Sequence, residues 1–186
     1  MKAFWTATLS LALAGAAWSG GSATFRLASA DISPNGTIAN KFVFAGFGCQ
    51  GENVSPALAW SGAPAGTQSF ALLVHDPDAP TGGAGWWHWV VYDIPASASA
   101  IAQGAGTADG ARLPAGSKQG VTDFGSAGWG GPCPPVGGGK HHYHFTLHAL
   151  KVAKLDIPAG ASAALIGYMV NANSLGKAGF TGLYGR

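Results

Sequence analysis

Glycine and proline interrupt this chain along most of its length and limit the structures that it can form. The 186 residues include 30 glycines and 11 prolines, which show no repeat period. Glycine weakens helices and strands from within, and proline fixes φ and removes a backbone donor, so both favour turns and loops. The pattern therefore predicts a compact domain of strands joined by glycine-rich loops, not a coiled coil.

The charge and hydropathy of the chain exclude further classes. Only 10% of the residues are charged and 47% are hydrophobic, whereas disordered segments combine high net charge with low hydrophobicity. The chain has ten Lys and Arg residues and eight Asp and Glu residues, so it lacks the basic excess that is typical of a nucleic-acid-binding protein. The length favours one domain, and we expect no nucleic-acid partner.

The first 23 residues have the pattern of an export signal. Lys2 precedes an apolar stretch at 4–18, and small residues follow at 19–23; this is the order of a secretory signal peptide. The alternative is a buried amino-terminal helix. We predict a signal peptide at 1–23, a mature domain at 24–186 without a transmembrane segment, and a periplasmic or secreted location.

Alternating apolar residues predict a mainly antiparallel β-fold with one late helix. The segments at 96–120 and 123–140 are long loops, the first with room for one short helix, and loops of this length in a compact domain are usually functional. The helix is predicted at 158–173. The predicted strands are 41–47, 57–60, Ser69–Asp76, 86–94, 142–151 and 179–184.

The common nucleotide-binding and nucleophile motifs do not explain this chain. Residues 46–51 read Gly-Phe-Gly-Cys-Gln-Gly, but chance matches to this pattern are expected among so many glycines and no predicted helix follows it. No P-loop and no G-x-S-x-G motif is present. We therefore expect no dinucleotide or other cofactor.

A group of polar residues at predicted strand ends is the best candidate for chemistry. Asp76 and Asp78 lie in the sequence Asp-Pro-Asp-Ala-Pro, His88 lies in the next predicted strand on a face with Trp86, Val90 and Tyr92, and His141 and Tyr143 share a face of a third. These side chains could bind a metal, act as an acid–base pair or bind an anion. They could also be rim residues without a ligand. Alternation separates His141 from the neighbouring histidines, which argues against a metal site.

The two cysteines, Cys49 and Cys133, favour a structural disulfide. Both remain after the predicted cleavage, and export would place them in an oxidising compartment. The alternative is two unpaired, buried thiols.

Four sequence blocks resemble the phosphatidylethanolamine-binding protein family, in its bacterial branch of Raf-kinase-inhibitor-like proteins. They are 53–60 (NVSPALAW), 76–80 (DPDAP), 86–92 (WWHWVVY) and 131–135 (GPCPP) leading to 141–143 (HHY), in the family's order and spacing. The resemblance covers nearly the whole predicted mature chain. It implies a large antiparallel sheet packed against a smaller one, with few peripheral helices.

The resemblance also implies a small pocket for phosphate-like head groups. We expect His88 and His141 to donate hydrogen bonds to an anion, most strongly below about pH 6.5. Tyr143 would add a hydroxyl donor, and within 131–135 only the amides of Gly131 and Cys133 would contribute, because proline lacks the N–H. Asp76 would orient one histidine and raise its pKa. The residues implied are Asp76, Asp78, Pro80, Trp86, His88, Gly131, Cys133, Pro135, His141 and Tyr143.

The function expected from these features is that of an exported, non-enzymatic binding protein for a small phosphorylated or otherwise anionic molecule. One alternative is an inhibitor of a partner enzyme, a protease or a kinase, that acts through a surface loop. The other is an acid–base enzyme that uses His88 or His141. No metal is expected.

Overall fold

A five-stranded antiparallel sheet forms the middle of this computed structural model, which describes residues 1–2 and 24–186. The outer strand on one side is the longest, and the outer strand on the other side has two residues. The spatial order is β10 (Ser174–Tyr184), β9 (His141–Leu150), β5 (Ser69–Asp76), β6 (Trp86–Pro95) and β8 (Lys118–Gln119).

Smaller elements surround this sheet. A three-stranded sheet consists of β1 (Arg26–Ala28), β4 (Leu58–Ser61) and β7 (Ala100–Ile101), and a two-stranded one of β2 (Ala45–Gly46) and β3 (Cys49–Gln50). A short 3₁₀ helix spans Asn40–Phe42, and the α-helix α1 spans Ala163–Asn173. The predicted fold class, a large antiparallel sheet with a smaller sheet and few helices, is confirmed.

The two faces of the large sheet bury different cores. Phe70, Leu72 and Val74 of β5 pack on one face in a cluster that includes Leu58 and Trp60 of the small sheet. The alternate residues of β5, including Leu73, pack on the other face with Ile166 and Val170 of α1. Strand alternation thus gives each face of the sheet its own apolar layer.

Several predicted boundaries are confirmed and others are wrong. Strand β5 has the predicted bounds, but the predicted strand at 41–47 is a 3₁₀ helix followed by the two residues of β2. Phe47 has a positive φ of 51°, which ends the extended conformation there. The predicted short helix within 96–120 is absent, since the structure has only β7 and β8 in that segment.

Helix α1 and strand β10 each begin at a different residue from the one predicted. Helix α1 begins at Ala163 because Ser162 caps it by accepting a hydrogen bond from the Leu165 amide. Strand β10 begins five residues before the predicted 179. Its Gly179 lies so close to the neighbouring strand that a Cβ would come within 2.5 Å of the Phe145 carbonyl. Gly179 is therefore a residue at which two strands pack closely, and it is not the start of strand β10.

Residues 3–23 of the predicted export signal lie outside the described part of the chain, so the signal and the domain boundary at 23/24 stay predictions. Within residues 1–2 and 24–186, no helix has the length and hydrophobicity that crossing a membrane requires.

Candidate functional site

A cavity of about 300 Å³ lies where β5, β6 and β9 meet the loops that follow and precede them. Seven of the ten predicted site residues line it; the other three, Asp78, Gly131 and Tyr143, do not. The seven are Asp76, Pro80, Trp86, His88, Cys133, Pro135 and His141.

A buried pair of Asp76 and His141 forms one wall. Asp76 Oδ2 lies 2.7 Å from His141 Nδ1, and both residues are buried. The other carboxylate oxygen accepts a hydrogen bond from the Asp78 amide at 2.8 Å, which holds the carboxylate in place. Because the carboxylate accepts, His141 Nδ1 carries a hydrogen. Asp76 therefore orients His141, one of the two histidines that the sequence left open.

His88 is buried on strand β6, and its ring contacts a backbone carbonyl rather than a carboxylate. Its Nδ1 lies 2.6 Å from the Gly130 oxygen, and burial lowers the pKa of the imidazole to about 4. The Asp76 carboxylate opposes this change only in part. The ring is therefore neutral near pH 7 and presents an acceptor at Nε2. The expectation that His88 donates a hydrogen bond to a bound anion stays a prediction.

A β-bulge decides which face His88 occupies. Trp87 pairs with His75 and Trp89 pairs with Val74, so His88 is an extra residue opposite the junction of two partners on β5. The bulge places His88 on the side of Trp89 and Tyr143, whereas the sequence predicted a face shared with Val90 and Tyr92. Those two residues pack toward α1, so this part of the prediction is wrong, whereas Trp86, the third residue of the predicted face, does line the same cavity as His88.

Of the six buried polar side-chain atoms that have no hydrogen-bond partner among the described residues, three lie at or beside this cavity. They are Trp86 Nε1, His88 Nε2 and the Tyr143 hydroxyl oxygen. The Tyr143 ring stands edge-on to His88 with their centroids 5.0 Å apart, and burial raises the pKa of the phenol. Buried polar atoms without partners are rare and require an explanation. Their concentration at and beside one cavity indicates a place for a polar ligand.

Asp78 and Gly131 lie outside the cavity and have structural contacts. Asp78 Oδ2 accepts from the main-chain nitrogen of His142 at 2.8 Å and lies 2.7 Å from its Nδ1, and this imidazole contact lowers the pKa of the Asp78 carboxyl. The Gly131 amide donates to Asn53 Oδ1 at 2.8 Å. That amide is therefore not free for a ligand, contrary to the sequence-based expectation.

Aromatic side chains that the sequence did not indicate complete the cavity. Phe47 and Phe124 line it, together with Ala79, Thr81 and Pro134. The Phe124 ring contacts Trp86 and His88 with centroids 5.4 Å away in each case. Phe124 also lines a second, open groove of about 750 Å³. The only sequence signal for Phe47 and Phe124 is that each is a large apolar residue within a glycine-rich loop.

The rim of the cavity is fastened by a disulfide and by the terminal arginine. Cys49 and Cys133 are bonded, which confirms the predicted disulfide and joins the Phe47 loop to the 133–135 segment. The Arg186 guanidinium donates to the carbonyls of Pro134 at 2.6 Å and Gly48 at 3.0 Å. A cation therefore lies just behind the rim, although no lysine or arginine is among the residues that line the cavity.

Among the residues with described positions, no three histidine, cysteine, aspartate or glutamate side chains come together in a way that could hold a metal ion. The three histidines nearest the site each contact a different partner through Nδ1. They are His88, His141 and His142.

Comparison with known proteins identifies the family of this chain. A family model for the phosphatidylethanolamine-binding protein matches residues 28–185. The chain belongs to the phosphatidylethanolamine-binding protein family. The resemblance of the four sequence blocks is thereby confirmed at the level of the family.

Two relatives within this family come from Escherichia coli strain K12. The UPF0098 protein YbcL is 48% identical over 179 residues, which are 96% of this chain and 97% of YbcL. The UPF0098 protein YbhB is 44% identical over 86% of this chain and 99% of its own. The crystal structure of YbcL, described as a new member of the mammalian family, has a TM-score of 0.84 at 49% identity and covers 87% of this chain and 98% of that one.

A third relative carries a different kind of name. LppC of Mycobacterium tuberculosis, named as a lipoprotein, is 43% identical over 74% of this chain and 63% of its own.

Proposed function

We propose that this member of the phosphatidylethanolamine-binding protein family is an exported, non-enzymatic protein that binds a small anion bearing a phosphate group. The observation that carries the proposal is the set of three unpartnered buried atoms, Trp86 Nε1, His88 Nε2 and Tyr143 Oη, at and beside a cavity of about 300 Å³. An unmet buried polar group costs about 1–3 kcal/mol, and a polar ligand would remove that cost.

The donors of the site suit the oxygens of an anion. Trp86 Nε1 can only donate, the Tyr143 hydroxyl can donate or accept, and a protonated His141 would donate through Nε2 while Asp76 holds its Nδ1. The positive charge of Arg186 behind the rim favours a negative ligand. Pro80, Pro135 and the aromatic rings supply apolar walls, which fit the carbon part of an ester.

The contacts of the possible nucleophiles support a binding role. The Cys133 sulfur is bonded to Cys49, so it is not available as a thiol nucleophile. The Thr81 hydroxyl donates to the Gly85 carbonyl at 3.0 Å and does not contact a general base of the described chain that would activate it.

Export is supported by the sequence at 1–23 and by the disulfide, because disulfides persist in oxidising compartments. The lipoprotein name of the relative LppC is consistent with this location.

Calorimetric titration of the mature protein with phosphate, phosphoethanolamine and glycerophosphate tests the proposal. We expect saturable binding that is stronger at pH 5.5 than at pH 7.5 and that falls at least about tenfold in His141→Ala, because that change removes a donor and leaves Asp76 buried without its partner. His144→Ala is the matched control, since His144 is an exposed histidine on the same strand whose Nδ1 contacts Thr181. No binding at about 10 mM ligand, or equal binding in His141→Ala, would contradict the proposal.

A further inference from the structure

The open groove of about 750 Å³ beside Phe124 contains two cations, Lys41 and Arg112. Both side chains are exposed. Neither forms an ion pair with a carboxylate of the described residues, because the ion pairs found there lie elsewhere in the fold. The part of the chain that the structure describes therefore leaves these two charges without an acidic partner.

Gln103 holds both cations on one wall of the groove. The Lys41 ammonium donates to Gln103 Oε1, and Arg112 Nη2 donates to the main-chain oxygen of Gln103 at 3.3 Å. Arg112 Nη1 donates to the neighbouring Gly104 oxygen, also at 3.3 Å. The Gln103 side chain is itself fixed, because its Nε2 donates to Asp31 Oδ1 at 2.8 Å. Two like charges are thus held close to one residue by neutral oxygen atoms, an arrangement that favours an anion beside them.

Most of the donors of these two cations remain available. An ammonium group has three N–H bonds and a guanidinium group has five, and the contacts with residues 103 and 104 use one of the former and two of the latter. A carboxylate has two oxygens and can accept from both cations at once. Such charge-assisted hydrogen bonds are stronger than those between neutral groups.

The rest of the groove favours a peptide over a polymeric anion. Glu52 lines the same groove and would repel a chain of regularly spaced negative charges, and the formal net charge of the protein is only +2. The lining also includes the apolar side chains of Val54, Phe44 and Phe124, and the two phenylalanine rings lie with their centroids 4.4 Å apart. Apolar side chains of a ligand can pack on such rings. The groove therefore offers charged and apolar contacts together.

We propose that this groove binds an acidic peptide segment of a partner protein, with a carboxylate at Lys41 and Arg112 and an apolar side chain against Phe44 and Phe124. Recognition of acidic motifs by clustered cations is a general mode of peptide binding. The groove is separate from the cavity of the proposed function, since neither cation lines that cavity and only Phe124 belongs to both linings. The inference is therefore independent of the phosphate ligand.

Four capped pentapeptides test the charged and the apolar contacts separately. They are acetyl-Ala-Phe-Glu-Phe-Ala-amide and its three relatives with Gln in place of Glu, Ala in place of Phe, or both. Nuclear magnetic resonance titration of the isotope-labelled mature protein follows the amides of Val54, Gly104 and Thr107, which line the groove. We expect saturable shifts, with the Phe and Glu peptide binding most tightly and a loss of at least about fivefold when Gln replaces Glu.

Two variants assign the effect to the cations. Lys41→Met and Arg112→Met should each weaken binding of the Glu peptide by about fivefold or more and bring its affinity close to that of the Gln peptide. Both residues are exposed, so the fold should tolerate these changes. Lys151→Met is the matched control, because Lys151 is an exposed lysine outside the groove, and it should leave the ratio of the two affinities unchanged. Raising the salt from about 50 to 500 mM should weaken only the Glu peptides.

Three results would overturn the inference. The first is the absence of saturable shifts with all four peptides at about 10 mM, which would place any dissociation constant well above the millimolar range. The second is equal affinity of the wild-type protein for the Glu and Gln peptides. The third is tighter binding of inorganic phosphate or of an oligothymidylate at the same amides, which would show that the groove binds small or polymeric anions. None of these results bears on the proposed function, which phosphate binding in His141→Ala tests separately.

Discussion

Removing the Tyr143 hydroxyl should stabilise the ligand-free protein and weaken the liganded one. Tyr143 is fully buried, and its hydroxyl oxygen has no partner among the described residues. Folding transfers that oxygen from water into the interior without a replacement bond, which costs about 1–3 kcal/mol. Tyr143→Phe removes the oxygen and keeps the ring against His88. We therefore expect the free energy of unfolding of the ligand-free variant to rise by about 1 kcal/mol or more.

The same change removes one hydrogen bond from the bound ligand. A neutral hydrogen bond contributes about 0.5–1.5 kcal/mol, so the affinity for methyl phosphate should fall by about 2- to 10-fold. Urea denaturation with and without methyl phosphate measures both effects, and thermal unfolding should show the gain as a rise of about 2–4 °C per kcal/mol for a domain of this size. Tyr168→Phe is the control, because Tyr168 is exposed.

The refuting result is a clear loss of stability in the ligand-free Tyr143→Phe variant. Such a loss would mean that the hydroxyl already has a favourable partner in the free protein, and the unpartnered atoms would no longer indicate a ligand.

Three further predictions concern the disulfide, the buried histidines and the cavity wall. Reduction of the Cys49–Cys133 disulfide, whose cysteines are separated by 84 residues, should lower the free energy of unfolding by about 4–5 kcal/mol, because the unfolded chain gains entropy. Urea denaturation with and without reductant measures this loss, and a loss below about 1 kcal/mol would refute the reasoning. Burial lowers the pKa of His148 to about 4, so the unfolded chain binds more protons than the native one between about pH 6.5 and 4, and the free energy of unfolding should fall as the pH falls through that window. Urea denaturation at several pH values should show a smaller fall in His148→Asn than in the wild type, and an equal fall in both proteins would count against this reasoning. Phe124→Ala should join the cavity to the 750 Å³ groove that Phe124 also lines and should raise the affinity for phenyl phosphate relative to methyl phosphate; an unchanged ratio in calorimetry would show that Phe124 does not limit ligand size.

Strand patterns that carry a complete apolar alternation could be predicted from the sequence. Phe70, Leu72 and Val74 define one face of β5, and its bounds are those expected. The alternation of His141 and Tyr143 placed both on one face of β9, and the structure buries both, while the alternate residue His142 is exposed. These elements are predictable because burial on one face repeats with the period of the strand.

The site was less predictable where one residue breaks the period or where the partner is distant in sequence. The bulge at His88 reverses the face on which the alternation would place it. The sequence could not tell whether Asp76 orients His88 or His141, because both of their strands lie beside β5 and the choice depends on the register and side-chain geometry at the strand ends. Phe47 and Phe124 come from separate loops, and their meeting at one cavity depends on the packing of those loops.

The most direct test of the central claim is a crystal structure of the mature protein with methyl phosphate at about pH 5.5. The account predicts a phosphate group inside the 300 Å³ cavity, with oxygens within about 3 Å of Trp86 Nε1, His88 Nε2 and the Tyr143 hydroxyl. A structure in which methyl phosphate binds only elsewhere, with these three atoms bonded to ordered water, would contradict it.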